Sequence, residues 1–240
     1  LRGKLYDNAM QKYPNARNQE FTTALSTLAL TSGQVLGDVP SGGGYLAKYL
    51  PQGVEWRGFE PCTEFTQHQL IANVHMHDGN EYTLTTLPWQ SQSVDAVVSI
   101  AGVHHLENKA PLWSEIYRVL KRHGKLAVLD IAEGSNTAYF LDNFVGKHNV
   151  TGHEGIYLTD KTAELMLEAG FTSTNIQTQS LFWEFKTEAD MTDFCIGLFG
   201  LRGVEQVVVL NAISKILGYQ LTSDGRVLLS WDMSLINAEK

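Results

Sequence analysis

The sequence has few cysteines and no long apolar run. Its two cysteines, Cys62 and Cys195, lie far apart and form no Cys-x-x-Cys pair, so neither a disulfide framework nor a zinc site is indicated. We predict that both are buried thiols. No apolar run is long enough to span a membrane, and residues 1–10 lack the apolar stretch of a secretory signal. These absences predict a cytoplasmic location.

Basic residues are also scarce. The chain has 18 Lys and Arg residues against 26 Asp and Glu residues, which gives a formal net charge of −8. Because nucleic-acid binding usually depends on a basic face, this balance argues against nucleic-acid partners and favours small molecules. The 240 residues are 43% hydrophobic, which is enough for one sizeable core and favours one elaborated domain.

What the chain does have is a regular alternation of elements. Short apolar runs predict strands, and amphipathic segments between them predict helices. The predicted strands are 35–39, 54–60, 95–100 and 125–131, and the predicted helices are 18–30, 45–50, 63–72 and 111–120. This order predicts a Rossmann-like, doubly wound α/β fold, in which helices cover both faces of a mainly parallel sheet.

The alternation of predicted strands and helices is interrupted after residue 133 and then resumes. Residues 158–171 read as a capped helix that ends at Gly170 and turns into a strand. Residues 178–186 and 225–240 alternate like strands, and a helical insertion is predicted at about 187–217. Strands this far apart in sequence can still pair antiparallel at a sheet edge.

A glycine-rich turn follows the first predicted strand, in the sequence DVPSGGG. Gly42, Gly44 and Ala47 fit the dinucleotide pattern G-x-G-x-x-G/A, and Glu60 lies near the distance expected for a ribose contact. That match alone is weak. Asp38 ends the strand where it could reach an ammonium group, which S-adenosylmethionine (SAM) carries and a nicotinamide dinucleotide does not. The acid therefore favours SAM.

The residues from Asp38 to Gly44 resemble the D-x-G-x-G-x-G loop of class I SAM-dependent methyltransferases, with Glu60 matching the ribose-binding acid of that family. Residues 87–131 are similar to the second half of the same fold, close to its small-molecule branch of ubiquinone-type and biotin-pathway enzymes. The resemblance implies a seven-stranded sheet with an antiparallel last strand, SAM as cofactor and S-adenosylhomocysteine as product. The cofactor contacts that it implies are Asp38, Ser41, Gly42, Gly44, Glu60, Pro61 and Ala101.

Two departures from the family pattern concern the cofactor site. Pro40 replaces the first glycine of the loop and lacks an N–H donor, so contacts to the cofactor carboxylate must come from neighbours such as Ser41. The family places an acid that binds the adenine amino group about where Thr83 stands, and Asp78 is the nearest acid. We therefore treat both residues as candidate adenine contacts.

The sequence argues against two kinds of site, one for nucleic-acid bases and one for a metal ion. Amino-methyltransferases that act on nucleic-acid bases have an Asn/Asp-Pro-Pro-aromatic motif after the fourth strand, where this chain has residues 99–102, Ser-Ile-Ala-Gly. His75 and His77 share a strand face at a spacing that could bind metal, but the sequence offers them no third ligand. The sequence alone therefore predicts that no metal takes part.

The acceptor pocket must come from elsewhere in the chain. Within one methyltransferase domain spanning 1–240, we expect an N-terminal cap at about 1–30 and a variable lid at about 135–157. The lid is rich in aromatic and titratable residues, which can pack and also exchange protons. The candidate catalytic bases are His105, His148 and His153, and Tyr13 and Arg17 are candidates to close over the methionine end of the cofactor.

The most specific function that the sequence predicts is methyl transfer from SAM to a small organic acceptor by in-line displacement. A solvated histidine loop remains an equal interpretation of the lid residues. Two other functions stay open: a non-catalytic SAM-binding or ligand-binding module on the same fold, and an NAD-dependent oxidoreductase. The sequence identifies neither the acceptor atom nor the oligomeric state.

Overall fold

The computed structural model of the chain describes residues 2–66, 75–78 and 82–240. Strands and helices are numbered here in chain order. The strands are β1 (Val35–Asp38), β2 (Glu55–Glu60), β3 (His75–Asp78), β4 (Val94–Ile100), β5 (Leu120–Asp130), β6 (Thr172–Gln179), β7 (Phe182–Phe185), β8 (Tyr219–Leu221), β9 (Val227–Ser230) and β10 (Met233–Glu239). The helices are α1 (Arg2–Lys12), α2 (Asn18–Ser26), α3 (Thr63–Thr66), α4 (Ala110–Val119), α5 (Asn136–Tyr139), α6 (Gly146–His148), α7 (Asp160–Glu168), α8 (Glu188–Phe199) and α9 (Gln206–Ile216).

Within the described ranges, one sheet has seven strands in the order β3-β2-β1-β4-β5-β10-β6. The strands from β3 to β5 pair in parallel, whereas β10 is antiparallel to both of its neighbours. The predicted Rossmann-like sheet, mainly parallel with an antiparallel last strand, is confirmed. The predicted helix at 63–72 is observed over Thr63–Thr66, and its remainder lies outside the described residues.

The central strands are buried on both faces. Along β5, Leu126 and Val128 pack into one apolar cluster, while Ala127 and Leu129 pack into another. Successive side chains of a strand point to opposite faces, so the two clusters lie on the two sides of the sheet. One cluster includes residues of α4 and α7, and the other includes residues of α1, α2, α8 and α9. Helices on both faces explain why these strands are apolar along their whole length.

Helix α4 illustrates how the sequence sets these elements. Pro111 lies in its first turn, where the missing N–H of proline has no helical partner to lose. The buried side chains Leu112, Trp113, Ile116 and Val119 fall on one helical face. At roughly 1.5–3 kcal/mol for each fully buried large apolar side chain, this face fixes the helix against the sheet.

A second, smaller sheet lies between β6 and β10 in sequence. Strands β7, β9 and β8 form it in that order, and all of its pairs are antiparallel. The expectation that distant strands pair antiparallel is confirmed, but a separate sheet was not predicted. The predicted helical insertion contains α8 and α9. Helix α8 approaches α1 so closely that a Cβ atom at Gly197 would lie 2.9 Å from the Cβ atom of Ala9.

The parallel strands bring their carboxyl ends to one edge of the main sheet. Asp38 ends β1, Glu60 ends β2 and Asp130 ends β5. This is the edge where open α/β sheets bind ligands. In the described part of the chain, no helix is both long enough and apolar enough to cross a membrane.

Candidate active site

A cavity of about 410 Å³ lies at the carboxyl ends of β1, β2 and β4. Asp38 and Glu60 line it from the ends of their strands, and Ala101 lines it from the loop that follows β4. The cavity also reaches residues of the N-terminal helices, the lid segment and the small sheet. It therefore joins the predicted cofactor residues to parts of the chain that are distant in sequence.

Asp38 is a buried carboxyl at the cavity wall. Its side chain is 3% exposed, and the indole Nε1 of Trp56 donates a hydrogen bond of 3.1 Å to its Oδ2 atom. Burial raises the pKa of Asp38 to about 8, the negative charge of Glu60 adds to this rise, and the bond from Trp56 opposes it. A positively charged ligand would stabilise the ionised form of this carboxyl, because the charge of the ligand offsets the cost of burying an ionised group.

Glu60 is attached directly to the glycine loop. The backbone N–H of Gly42 donates to its Oε2 atom, and that of Cys62 donates to its Oε1 atom, both at 2.8 Å. Burial raises the pKa of Glu60, and these two bonds oppose the rise. Gly42 and Gly44 have φ angles of +55° and +75°, a backbone region that glycine adopts without strain. The loop therefore curls back onto the acid that follows β2.

Three further predicted cofactor residues line the same wall, namely Ser41, Pro61 and Ala101. The backbone N–H of Ser41 donates to the carbonyl of Phe59 at 2.9 Å, which holds the loop against β2. The Ser41 Oγ atom is buried and has no hydrogen-bond partner among the described residues. An unpaired buried hydroxyl costs roughly 1–3 kcal/mol, so a ligand that pairs with it would recover this energy.

Asp78 and Thr83, the two candidate adenine contacts, differ in what the structure describes of them. The backbone of Asp78 pairs with that of Glu60 across β3 and β2, but its side chain lies outside the described part of the structure, as do those of His75 and His77. Thr83 is exposed, and its hydroxyl hydrogen-bonds with that of Thr85. Its neighbour Leu84 lines the cavity instead. The cavity wall here is therefore apolar.

Arg17 and Tyr6 bring the N-terminal helices to the cavity, and both residues line it. The buried Arg17 guanidinium donates to Glu20 at 2.8 Å through Nε and to the Tyr6 hydroxyl at 3.2 Å through Nη1. The fully buried Glu20 also accepts a hydrogen bond from the indole of Trp183. This network ties α2 to the small sheet. Tyr13, by contrast, hydrogen-bonds Asp190 and Asp193 and does not line the cavity.

His104 is held by the buried carboxyl of Asp130. Its Nδ1 atom lies 2.6 Å from Asp130 Oδ1, while Oδ2 accepts the backbone N–H groups of Val103 and His104. Burial alone would raise the pKa of Asp130, but the charge and hydrogen bond of His104, with backbone bonds from Ile131 and Val103, lower it. Because an ionised carboxylate only accepts hydrogen bonds, Nδ1 of His104 carries the proton that it donates to Asp130, and Nε2 is the other ring nitrogen.

His105 and His153 lie beside His104, and all three line the cavity. The ring centroids of His104 and His105 are 4.1 Å apart, and those of His105 and His153 are 5.3 Å apart. His153 Nδ1 lies 3.1 Å from Asp142 Oδ1, which also accepts from the Tyr157 hydroxyl at 2.6 Å. Asp142 belongs to a π-helical turn, Phe140–Val145, in the predicted lid. π-Helical turns are frequent at functional sites.

His148 and Cys62 differ from what the sequence suggested. His148 is not part of the cavity lining, and its ring centroid lies 4.9 Å from that of Phe144. Its predicted role as a base thus has no position in the cavity to support it. Cys195 is buried as expected, but the expectation for Cys62 is wrong: this thiol is exposed, because Cys62 lies in the loop after β2.

Sequence reasoning missed the wall supplied by the small sheet and α8. Trp183, Leu198, Phe199 and Trp231 line the cavity. The rings of Trp183 and Trp231 stack with centroids 4.0 Å apart, although the residues are 48 positions apart in the chain. The concentration of aromatic residues at 182–185 was the available signal, but alternation alone predicted only a strand there.

A known protein family matches the region that contains the glycine loop and Glu60. Residues 37–128 match the family model described as a methyltransferase domain. The predicted resemblance to class I SAM-dependent methyltransferases is confirmed at the level of this domain and the fold, whereas the small-molecule branch stays a prediction. None of the curated protein sequences compared with the chain matches it significantly.

Solved structures of low sequence identity share the fold of this chain. The YcgJ protein of Bacillus subtilis is 16% identical with a TM-score of 0.65, over 93% of this chain and 98% of that one. A Thermotoga maritima protein described as a possible histamine N-methyltransferase is 18% identical with a TM-score of 0.63, over 98% and 94%. Phosphoethanolamine N-methyltransferase 2 of Haemonchus contortus, in complex with SAM, is 16% identical with a TM-score of 0.64, over 99% of this chain and 56% of that one.

Proposed function

We propose that the chain is a SAM-dependent methyltransferase that acts on a small organic acceptor. One observation carries the proposal: a single cavity connects the Asp38 and Glu60 wall with the histidine and aromatic wall. A methyl transferase must hold a donor and an acceptor side by side. The connected walls offer a place for each.

The residues around the glycine loop fit SAM. The carboxyl of Asp38 suits the α-ammonium group of the cofactor, and the unpaired Ser41 hydroxyl suits its carboxylate. Both oxygens of Glu60 already accept one backbone bond each, and each retains a second lone pair for a ribose hydroxyl. Leu84 and Pro61 offer an apolar surface for the adenine ring. When bound, SAM supplies an electrophilic methyl group on a sulfonium.

The protein then has to position the acceptor and exclude water. In an in-line displacement the positive charge of the sulfonium disperses, so orientation and desolvation supply much of the acceleration. Trp183, Phe199 and Trp231 form an aromatic wall that can exclude water and pack against the acceptor. One structural neighbour is described as a possible histamine N-methyltransferase and another as a phosphoethanolamine N-methyltransferase. Small acceptors of this kind suit the cavity.

His105 and His153 are the residues placed to act on an acceptor proton. Both line the cavity beside His104, and Asp142 orients His153. Histidine exchanges protons near neutral pH, which suits an acceptor that must lose a proton as its new bond to carbon forms. For His153 the interpretation as a solvated loop residue is disfavoured, because its side chain is 5% exposed.

Binding of S-adenosylhomocysteine to Glu60→Ala tests the cofactor assignment. Each charge-assisted bond to a ribose hydroxyl contributes ~1.5–3 kcal/mol, so calorimetry should record a loss of affinity of about ten- to one-hundred-fold per bond. Glu55→Ala is the matched control, because Glu55 lies on the same strand but its side chain is exposed and pairs with Arg57. Unchanged affinity in Glu60→Ala, or a rise in melting temperature with NADH instead, would overturn the assignment.

A further inference from the structure

The three histidines at the acceptor end of the cavity form a compact cluster of ligand atoms. One ring nitrogen from each of His104, His105 and His153 can be chosen so that all three lie within 4.8 Å of one another. They come from two segments, the turn Val103–His105 and the loop after α6, so their spacing in sequence gave no hint of a shared site. We propose that these three residues bind a divalent transition metal ion, with Zn²⁺ as the best match, and that the open side of the ion faces the acceptor.

The strongest support is the carboxylate behind two of the three rings. Metal-binding histidines characteristically donate their other N–H to a carboxylate or carbonyl, which fixes the tautomer and the ring orientation. Asp130 contacts His104 Nδ1 at 2.6 Å, and Asp142 contacts His153 Nδ1 at 3.1 Å. In both rings this arrangement directs Nε2 away from the carboxylate as the candidate ligand atom.

Both carboxylates are themselves fixed. Asp130 is fully buried and accepts backbone bonds from Val103 and Ile131 at 2.8 and 2.7 Å. Asp142 accepts the Gly155 N–H at 3.0 Å as well as the Tyr157 hydroxyl. The two histidine-bearing segments are themselves joined without an ion, because the backbone N–H of Ile156 donates to the carbonyl of His104 at 2.8 Å. The site is thus largely organised before metal binds.

The chemistry of the ligand set points to the class of ion. Neutral imidazoles suit Zn²⁺, Cu²⁺, Ni²⁺ and Fe²⁺, whereas Mg²⁺ and Ca²⁺ prefer oxygen ligands. Bond lengths of 2.0–2.1 Å in a tetrahedral zinc site require ligand nitrogens about 3.3 Å apart. The cluster must therefore contract somewhat, and the exposed His105 can supply that movement by rotating its side chain. Three protein ligands leave a fourth position, as in catalytic zinc sites.

This inference rests on the proposed function and changes the role of the histidines, because a ring nitrogen that binds an ion no longer accepts the proton of the acceptor. An acceptor hydroxyl, thiol or amine that binds the open position would lose its proton to water more readily, since a coordinated heteroatom has a lowered pKa. Its lone pair then forms the bond to the methyl carbon, and the electron pair of the carbon–sulfur bond passes to sulfur. The ion would thus hold the acceptor and prepare it, while Asp38 and Glu60 hold the donor.

Metal titration of chelator-treated protein tests the site. Calorimetry with Zn²⁺ should give one ion bound per chain, and Co²⁺ should give the visible absorption of a tetrahedral nitrogen site. His105→Ala and His153→Ala should each weaken binding by more than ~100-fold, and Asp142→Asn by ~10–100-fold, because it only orients a ligand. His123→Ala is the control, since His123 lies on β5 with a 71% exposed side chain.

The outcomes separate this inference from the proposed function. S-adenosylhomocysteine binding, measured on the same samples, should be near wild type in every variant, which also shows that each one is folded. If wild type binds no Zn²⁺ but binds S-adenosylhomocysteine, the metal site is overturned and the methyltransferase proposal stands. Binding that survives in His105→Ala and His153→Ala but is lost when both His75 and His77 become alanine would place the metal elsewhere and also overturn the inference.

Discussion

The cofactor side and the acceptor side of the cavity are built at very different sequence separations. Asp38, Ser41, Gly42 and Glu60 belong to one strand, turn and strand connection, and backbone hydrogen bonds fix their geometry. The acceptor side collects Arg17, His105, His153, Trp183 and Trp231 from five separate segments. The first side depends on local backbone conformation, and the second depends on how helices and sheets pack. Substitutions on the cofactor side should therefore change cofactor affinity, whereas substitutions on the acceptor side should change turnover or stability.

The largest expected effect belongs to a histidine on the acceptor side. His153→Ala should lower kcat by ~10²–10⁴-fold while affinity for S-adenosylhomocysteine stays near wild type, because the group acts on the acceptor and not on the cofactor. Steady-state kinetics with labelled SAM and an identified acceptor would measure this. His148→Ala provides the comparison, since that ring lies outside the cavity lining. Equal losses in both variants would contradict the division into two sides.

Trp183→Ala should affect stability rather than cofactor chemistry. Trp183 is 1% exposed, stacks on Trp231 and donates to Glu20, so its removal leaves a large cavity and takes the indole donor from the buried Glu20 carboxylate, which keeps only its pairing with Arg17. Losses of this kind cost ~3–5 kcal/mol of unfolding free energy. Urea denaturation would measure the loss, with Leu221→Ala as the control, because Leu221 on β8 is 65% exposed. A change below ~0.5 kcal/mol, the usual size for a surface substitution, would mean that the aromatic wall does not hold the small sheet in place.

The smallest expected effect is the dependence of stability and cofactor affinity on pH through Asp38. The pKa of Asp38 is raised from 3.8 to about 8, so between these values the folded chain holds a proton that the unfolded chain has lost. Its contribution to the free energy of unfolding therefore falls as pH rises through this window. An ammonium ligand favours the ionised form, so binding below about pH 8 releases this proton, and affinity should rise up to ~tenfold per pH unit.

Calorimetry with S-adenosylhomocysteine between about pH 6 and pH 8 would measure that slope. Histidines titrate in the same range, so Asp38→Asn is needed to isolate the contribution of this carboxyl. Its affinity should be weaker and should depend less on pH than that of wild type. Identical slopes in the two proteins would show that Asp38 does not face the ammonium group.

The contrast between the two sides also explains what could be predicted from the sequence. The loop and its acid are a local pattern, so periodicity and glycine spacing were enough to place Asp38, Gly42 and Glu60 on one wall. The histidine cluster and the small sheet depend on long-range packing, which a single sequence does not specify. His104 and His105 are adjacent in sequence, and the short turn Val103–His105 brings both of their rings to the cavity. Leu141 and His153 of the predicted lid segment line the cavity, but the contact between Asp142 and His153, which orients that histidine, could not be predicted from the sequence.

The attachment of the small sheet has a consequence for how acceptor choice can change. Residues 180–232 leave the main sheet after Gln179 and return at Met233, and these two residues are register partners in the antiparallel pair of β6 and β10. A segment that departs and re-enters at neighbouring points can be exchanged with little disturbance to the strands that carry it. A chimaera that grafts this segment from another methyltransferase could therefore acquire a new acceptor while keeping its cofactor loop. The graft would also need the matching partner of Glu20, since that buried carboxylate in α2 otherwise loses the indole of Trp183.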